Sequence, residues 1–185
     1  MTEKEVLLEI NHLKAYFPVK RKSMKEEKKV IKAVDDISIE IYRGETLGIV
    51  GESGSGKSTF GRTILKLVEP TGGEVLYKGQ PIQHLKGNKL QSYRNQMQMI
   101  FQDPFASLNP RKRIGSIIEE PMKLQLTLTK EQRKERVKEL LQKVGLPEDA
   151  MHKFPHEFSG GQRQRIGIAR ALAIHPEFII ADEPV

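Results

Sequence analysis

The chain contains no cysteine. That excludes a disulfide scaffold, a thiolate nucleophile and a cysteine-ligated metal site. It also lacks any apolar run approaching the roughly 18–20 residues that a bilayer span requires, which excludes a transmembrane subunit. The N-terminus, MTEKEVLLEI, carries acids and lacks the basic-then-apolar layout of a secretory signal, so a cytosolic protein is the simplest fit. Repeats are absent too. What is present is 185 residues, 37% of them hydrophobic and 30% charged, enough for one domain with a real core or a domain carrying a sizeable insertion.

The net charge of +7 is unevenly spread. Between Lys20 and Lys32 stand seven basic residues against two acidic ones, a local +5, and everything else carries only +2. No aromatic residue interleaves that stretch, so it reads as a solvated loop between two strands rather than a surface tracking nucleic-acid phosphates.

Strand-like runs occur at Val6 to Ile10, Val30 to Ile41, Thr46 to Val50, Glu74 to Tyr77, Met97 to Phe101 and Phe178 to Ala181, apolar or β-branched and bounded by turn residues. Several are nearly all apolar, as in buried parallel sheets. A helix is predicted from Thr129, whose side chain can cap while Gln132 reaches back; it carries Val137, Leu140, Leu141 and Val144 on one face and ends at Gly145 and Pro147. Strands dominate the first hundred residues, and helices dominate from about Arg113 to Ile174. An α/β core with a helical insertion follows.

The strongest chemical signal is Gly51-Glu-Ser53-Gly54-Ser55-Gly56-Lys57-Ser58-Thr59, which contains the full G-x-x-x-x-G-K-[ST] pattern. Leu47 to Val50 precedes it as a predicted strand and Ser58 to Leu67 follows as a predicted helix, the setting a phosphate-binding loop needs. The glycines let consecutive backbone N–H groups turn inward around phosphate oxygens, and the helix N-terminus adds its positive dipole end. Lys57 would reach the β- and γ-phosphates and Ser58 would bind Mg²⁺. A phosphate loop does not choose among kinases, GTPases and motor ATPases.

The C-terminus narrows that choice. Phe178-Ile-Ile-Ala-Asp182-Glu183 is an apolar strand ending in two acids, and open α/β sheets bind ligands at the carboxyl ends of their strands. Asp182 is suited to the Mg²⁺ water shell and Glu183 to polarising an attacking water; an acidic turn closing a core strand is the alternative. Upstream, Phe158-Ser159-Gly160-Gly161-Gln162 opens a helix with Ile166, Ala169, Leu172 and Ala173 at helical spacing. This is a second glycine-rich helix start. Either Ser159 simply caps a closely packed helix, or the end faces an anion on a second molecule, which two copies arranged head to tail would provide.

Taken in order, Gly51 to Ser58, Gln102 after an apolar strand, Ser159-Gly-Gly-Gln162 and Asp182-Glu183 resemble the Walker A, Q-loop, signature and Walker B motifs of ABC-transporter ATPases. The resemblance covers nearly the whole chain. The stretches Gln102-Asp-Pro-Phe-Ala-Ser-Leu-Asn-Pro-Arg111 and Pro155-His-Glu-Phe-Ser-Gly-Gly-Gln-Arg-Gln-Arg165, with the basic loop after Tyr16-Phe17-Pro18, are similar to ATP-binding subunits of dipeptide and oligopeptide importers, and related importers of nickel and other small solutes share them. The resemblance implies a P-loop NTPase (RecA-like) α/β core over 1–102 and 165–185, and a helical subdomain with the signature over 103–164.

It further implies ATP and Mg²⁺ as cofactors, with Gly51, Ser53, Gly54, Ser55, Gly56, Lys57, Ser58 and Thr59 on the phosphates and Phe17, or neighbouring Tyr16, stacked on adenine. Gln102 would sense Mg²⁺ and the γ-phosphate, with Ser58 and Asp182 beside the metal and Glu183 as catalytic base. Ser159, Gly160, Gly161 and Gln162 would complete the partner's ATP site. The implied partners are integral-membrane permease subunits and a second ATPase subunit, with no nucleic acid, and the implied location is the cytoplasmic face of the membrane, peripherally bound. The family continues past Walker B through a D-loop and a switch histidine, and His12, His84, His152, His156 and His175 all precede Walker B. The chain is therefore expected to be a truncated form with little turnover. A chromosome-maintenance ATPase shares the motifs but needs a long coiled coil that Asp103 to Phe158 is too short to hold.

Overall fold

The structure, a computed structural model, describes residues 4–19, 29–103 and 107–183. Most of the basic stretch and the Pro104–Ala106 part of the Gln102 segment lie outside them. The chain divides into two compact units, Met1–Gln91 and Ser92–Val185.

The first unit is built on an antiparallel sheet in the order β2-β1-β3-β4, with β1 at Val6–Pro18, β2 at Val30–Tyr42, β3 at Gly72–Tyr77 and β4 at Gln80–Pro81. Its central strand β1 buries Leu7, Leu8, Ile10, Leu13 and Ala15, while β2 and β3 contribute Val34, Ile41 and Val75. Strand β1 runs past the predicted end at Ile10. Asn11 and His12 look like a turn in sequence, but they sit in a bulge: His12 and Asp36 both have positive φ (50° and 62°), and their side chains meet at 2.9 Å, so the ladder resumes at Leu13. Helix α1, Lys57–Ile64, packs on β1 and β2 through Phe60 and Ile64. It stops at Leu65 because Lys66 turns left-handed (φ 53°) and its buried ammonium donates to the carbonyls of Gln83 and Leu85 at 2.7 and 3.0 Å.

One predicted strand is not formed. Thr46 to Val50 runs without a ladder, and Leu47, Ile49 and Val50 are exposed at 39%, 50% and 97%. Strand propensity is local, whereas a strand exists only with a hydrogen-bonding neighbour, and among the described residues this segment has none in its sheets. Helix α2, Gly87–Gln96, has the opposite history: it buries only Tyr93, so no apolar period announces it in the sequence.

The second unit pairs β5, Met97–Ile100, in parallel with β6, Phe178–Ala181, in the register Met97↔Phe178 to Ile100↔Ala181. Between them the described residues include helices α3 at Ile114–Gln125, α4 at Lys130–Lys143 and α5 at Gly160–Leu172, with 3-10 turns at Glu148–His152 and Pro155–Glu157. Their shared core is Leu108, Ile114, Ile117, Ile118, Met122, Val137, Leu140, Leu141, Phe158, Ile166 and Ala169 with their neighbours. Helix α4 starts with the predicted capping box, Thr129 accepting from the Gln132 amide and Gln132 answering at Thr129 N–H. Helices α3 and α4 are also tied by Glu119, which holds Arg133 at 2.8 Å and Lys123 at 2.9 Å. Burial pushes the Glu119 carboxyl up, but these two cations outweigh it and hold it below its ordinary value.

Candidate functional site

The phosphate-loop residues lie in the first unit, between the unpaired segment and α1. Gly54 and Gly56 are left-handed, at φ 79° and 96°. Gly56 cannot be anything else: a Cβ there would sit 1.9 Å from the Ala33 carbonyl oxygen on β2. Gly56 is also the N-cap of α1, without any side-chain cap, and its carbonyl accepts from Phe60 N at 2.8 Å. The loop closes on its own lysine. Lys57 Nζ donates to the carbonyls of Gly51 and Glu52 at 2.8 and 2.9 Å, which holds a positive charge inside the ring of backbone. Gly51, Ser53, Gly54 and Ser55 are exposed, and Ser58 and Thr59 are half-buried in the first turn of α1. A left-handed glycine pair, an ammonium held on the loop's own carbonyls and a helix start without a side-chain cap are groups that favour an anion.

The same unit carries both candidate adenine rings. Tyr16 is engaged on its face by Lys32, 5.3 Å from the ring centroid, and at its hydroxyl by Asp35, to which it donates. The hydrogen bond to Asp35 raises the phenol above its ordinary value, and Tyr16 and Lys32 together hold Asp35 below its own. Phe17 pairs with Ile31 across the ladder and is 39% exposed.

In the second unit the parallel register brings two distant motifs level. Ile100 lies opposite Ala181, so Gln102 and Glu183 leave the same end of the two strands. Gln102 Nε2 donates to Glu183 Oε2 at 2.5 Å across 81 residues of sequence. Asp182 is only 7% exposed and its N–H bonds the Ile100 carbonyl at 2.9 Å. Glu183 has φ 44°, a left-handed backbone that costs a non-glycine residue about 1 kcal/mol and is found most often where a side chain must be aimed. Hydroxyl, amide and carboxylate oxygens, as on Ser58, Gln102 and Asp182, are the donors a hard cation such as Mg²⁺ takes. Among the described residues no cluster of three or more His, Cys, Asp or Glu side chains stands ready to hold a metal ion.

Helix α5 starts with a full capping box: Gln162 N donates to Ser159 Oγ at 3.3 Å and Ser159 N to Gln162 Oε1 at 2.9 Å. Gly160 and Gly161 differ from Gly56. A Cβ at either would meet nothing within 4 Å, and neither has a left-handed φ. One residue escaped the sequence reading. Arg170, three turns down α5, reaches Ser107 in the segment after Gln102; the only mark it leaves in the sequence is one cation among the small residues Ala169, Ala171 and Ala173.

These observations agree with comparison to known proteins. The family model described as ABC transporter matches residues 34–185. The chain is 55% identical to the oligopeptide transport ATP-binding protein AppF of Bacillus subtilis (strain 168), over 98% of this chain and 55% of that protein. It is 57% identical to OppF of the same organism, also an oligopeptide transport ATP-binding protein, over 100% of this chain and 58% of that one. The chain thus spans little more than half the length of these curated relatives. Its fold matches the dimeric ATP-binding cassette MJ0796, solved in a post-hydrolysis state with ADP and Pi, at a TM-score of 0.84 and 31% identity, covering 97% of this chain and 75% of that one. With four motifs in order and the family model matched across the larger part of its length, the chain belongs to the ABC transporter family.

Proposed function

We propose that this chain is the nucleotide-binding part of an ABC importer ATPase that couples ATP binding and hydrolysis to the uptake of di- or oligopeptides. The observation that carries the chemistry is the 2.5 Å contact between Gln102 and Glu183, which joins the γ-phosphate-sensing position to the candidate base. The relatives' names, oligopeptide transport ATP-binding proteins, support the choice of cargo.

In this reading the triphosphate lies along Gly51 to Thr59. Backbone N–H groups of the loop would meet its oxygens, that of Ser55 leaving the Glu52 carbonyl it bonds at 3.1 Å, and Lys57 would exchange its two carbonyl acceptors for the β- and γ-phosphates. Phe17 stacks on the adenine, since the ring of Tyr16 is already engaged by Lys32 and Asp35. Ser58, Gln102 and Asp182 would hold Mg²⁺, which would supply charge neutralisation beside the phosphates. Glu183 accepts the proton of the attacking water, and Gln102 holds its carboxylate in line until then. Ser159, Gly160, Gly161 and Gln162 offer a capped helix start with open space before it to the nucleotide of a second ATPase subunit in a head-to-tail dimer. Residues 1–102 and 165–185 serve as the ATPase core and 103–164 as the helical subdomain, which meets integral-membrane permease subunits on the cytoplasmic face of the membrane. No helix of the described residues is long and apolar enough to cross a membrane itself.

Calorimetric titration of ATP with Mg²⁺ tests the reading. Lys57→Ala is expected to bind about 10- to 100-fold more weakly than the parent, the cost of a charge-assisted hydrogen bond. Equal affinities would overturn the phosphate-loop assignment.

A further inference from the structure

Tyr16 and Phe17 stand side by side near the end of β1, and neighbours on a strand face opposite ways, so the register decides which of them shares a side with the phosphate loop. The ladder steps unevenly before it reaches them. Ile10 pairs with Ile39 and Leu13 with Ile37, three steps on β1 against two on β2. Against β3, Asn11 pairs with Glu74 and Lys14 with Gly72, again three against two. One residue of β1 is therefore extra towards both neighbours, and His12, with φ 50°, lies there. Leu13 then pairs with Ile37 and Ala15 with Val34, two steps against three, so the next extra residue belongs to β2, where Asp36 has φ 62°.

These shifts set the faces. Ile39 and Ile37 are two apart on β2 and face the same way, so their partners Ile10 and Leu13 do too, although they are three apart on β1. Ile10, Leu13 and Ala15 are all buried, and Phe17 continues that row two residues on. The row forms the buried face of the sheet, on which α1 packs with Phe60 and Ile64. Helix α1 starts at Gly56 against the Ala33 carbonyl, and Ala33 is two residues from Ile31, the ladder partner of Phe17. In an unbroken ladder the row would instead run Ile10, His12, Lys14, Tyr16, and Phe17 would face the other side.

We propose that Asp36 is a positioning residue: it clamps His12 in the left-handed conformation that absorbs the extra residue, and so keeps Phe17 rather than Tyr16 on the phosphate-loop side. An ionised carboxylate only accepts, so His12 Nδ1–H donates to Asp36 Oδ1, at 2.9 Å, and the Lys14 ammonium stands 3.9 Å from the same oxygen. The His12 backbone N–H donates to Ser38 Oγ at 2.9 Å. Side chain and N–H of His12 are thus both held by β2. Aspartate is one of the few side chains that accept a left-handed backbone, which suits residue 36 to the part. That Phe17 meets the base rests on the function proposed above; the register clamp does not.

Calorimetric titration with two ligands in Mg²⁺, ATP and inorganic tripolyphosphate, separates base from phosphate contacts. Asp36→Ala is expected to weaken ATP about fivefold, the equivalent of one aromatic stacking contact, and to leave tripolyphosphate within about twofold. Asp36→Asn keeps an oxygen acceptor and accepts left-handed backbone, so it should retain parental ATP affinity. In Phe17→Ala, Asp36→Ala should cost nothing further. Deleting His12 leaves Ile10 and Leu13 two apart, so Phe17 keeps its face without a clamp, and Asp36→Ala should then no longer weaken ATP. In the ligand-free chain, Asp36→Ala should raise amide hydrogen exchange over residues 13–17 about fivefold and leave residues 6–9 at the parental rate. Parental ATP affinity in Asp36→Ala, an equal loss for both ligands, no rescue by asparagine, or an undiminished effect after deletion of His12 would each overturn the proposal. If the parent does not bind ATP, or Phe17→Ala binds it equally well, the reading of the site proposed above fails and the exchange data decide the clamp: a rise over 13–17 keeps it and unchanged rates sink it.

Discussion

The molecule has two glycine-rich helix starts that look alike in sequence and are built in different ways. At the phosphate loop, Gly56 caps α1 with a left-handed backbone, no side-chain oxygen helps, and the lysine that follows turns back onto the carbonyls of Gly51 and Glu52. At the signature, Ser159 and Gln162 cap α5 reciprocally in ordinary backbone geometry. The glycines then mean different things. Gly56 is demanded by this chain, because the Ala33 carbonyl fills the space where a Cβ would go. Gly160 and Gly161 are demanded by nothing among the described residues, since the space over both is open there. In the proposed head-to-tail dimer, that open space would admit the nucleotide of a second subunit.

Three substitutions sharpen that contrast, in falling order of effect on stability. Gly56→Ala should be the most damaging. A 1.9 Å approach to backbone together with φ 96° predicts a loss of at least about 3 kcal/mol in urea unfolding and the loss of ATP binding. A protein of parental stability would show that the β2 backbone at Ala33 yields freely. Ser159→Ala removes a reciprocal cap and should cost about 1 kcal/mol, seen as a lower urea midpoint with an unchanged m-value. Gly160→Ala should move stability by no more than about 0.5 kcal/mol, upward if at all, and leave ATP affinity intact. Its effect should appear instead in light scattering, as weaker ATP-dependent association. If association persists, the open space serves no second molecule.

The four motifs were legible in the sequence because each depends on residue type at short range. The capping boxes at Thr129 and Ser159 and the apolar face of α4 were equally legible, since both arise within one or two helical turns. Prediction failed where a partner decides the outcome. Leu47 to Val50 has strand chemistry and no strand, β1 continues through a bulge that Asp36 on the facing strand supports, and α2 forms on a polar stretch anchored by one buried tyrosine.

What the sequence determined by itself is the set of chemical groups and their local frames: a phosphate loop, a glutamine after a strand, a capped glycine helix and a pair of acids, each fixed by dihedral preference and by hydrogen bonds a few residues long. Only the tertiary structure decided which of these meet. The parallel pairing of β5 with β6 levels Gln102 with Glu183, the Ala33 carbonyl makes Gly56 obligatory, and Arg170 finds Ser107. Contacts of that kind depend on strand register and helix packing across scores of residues, which no local pattern encodes.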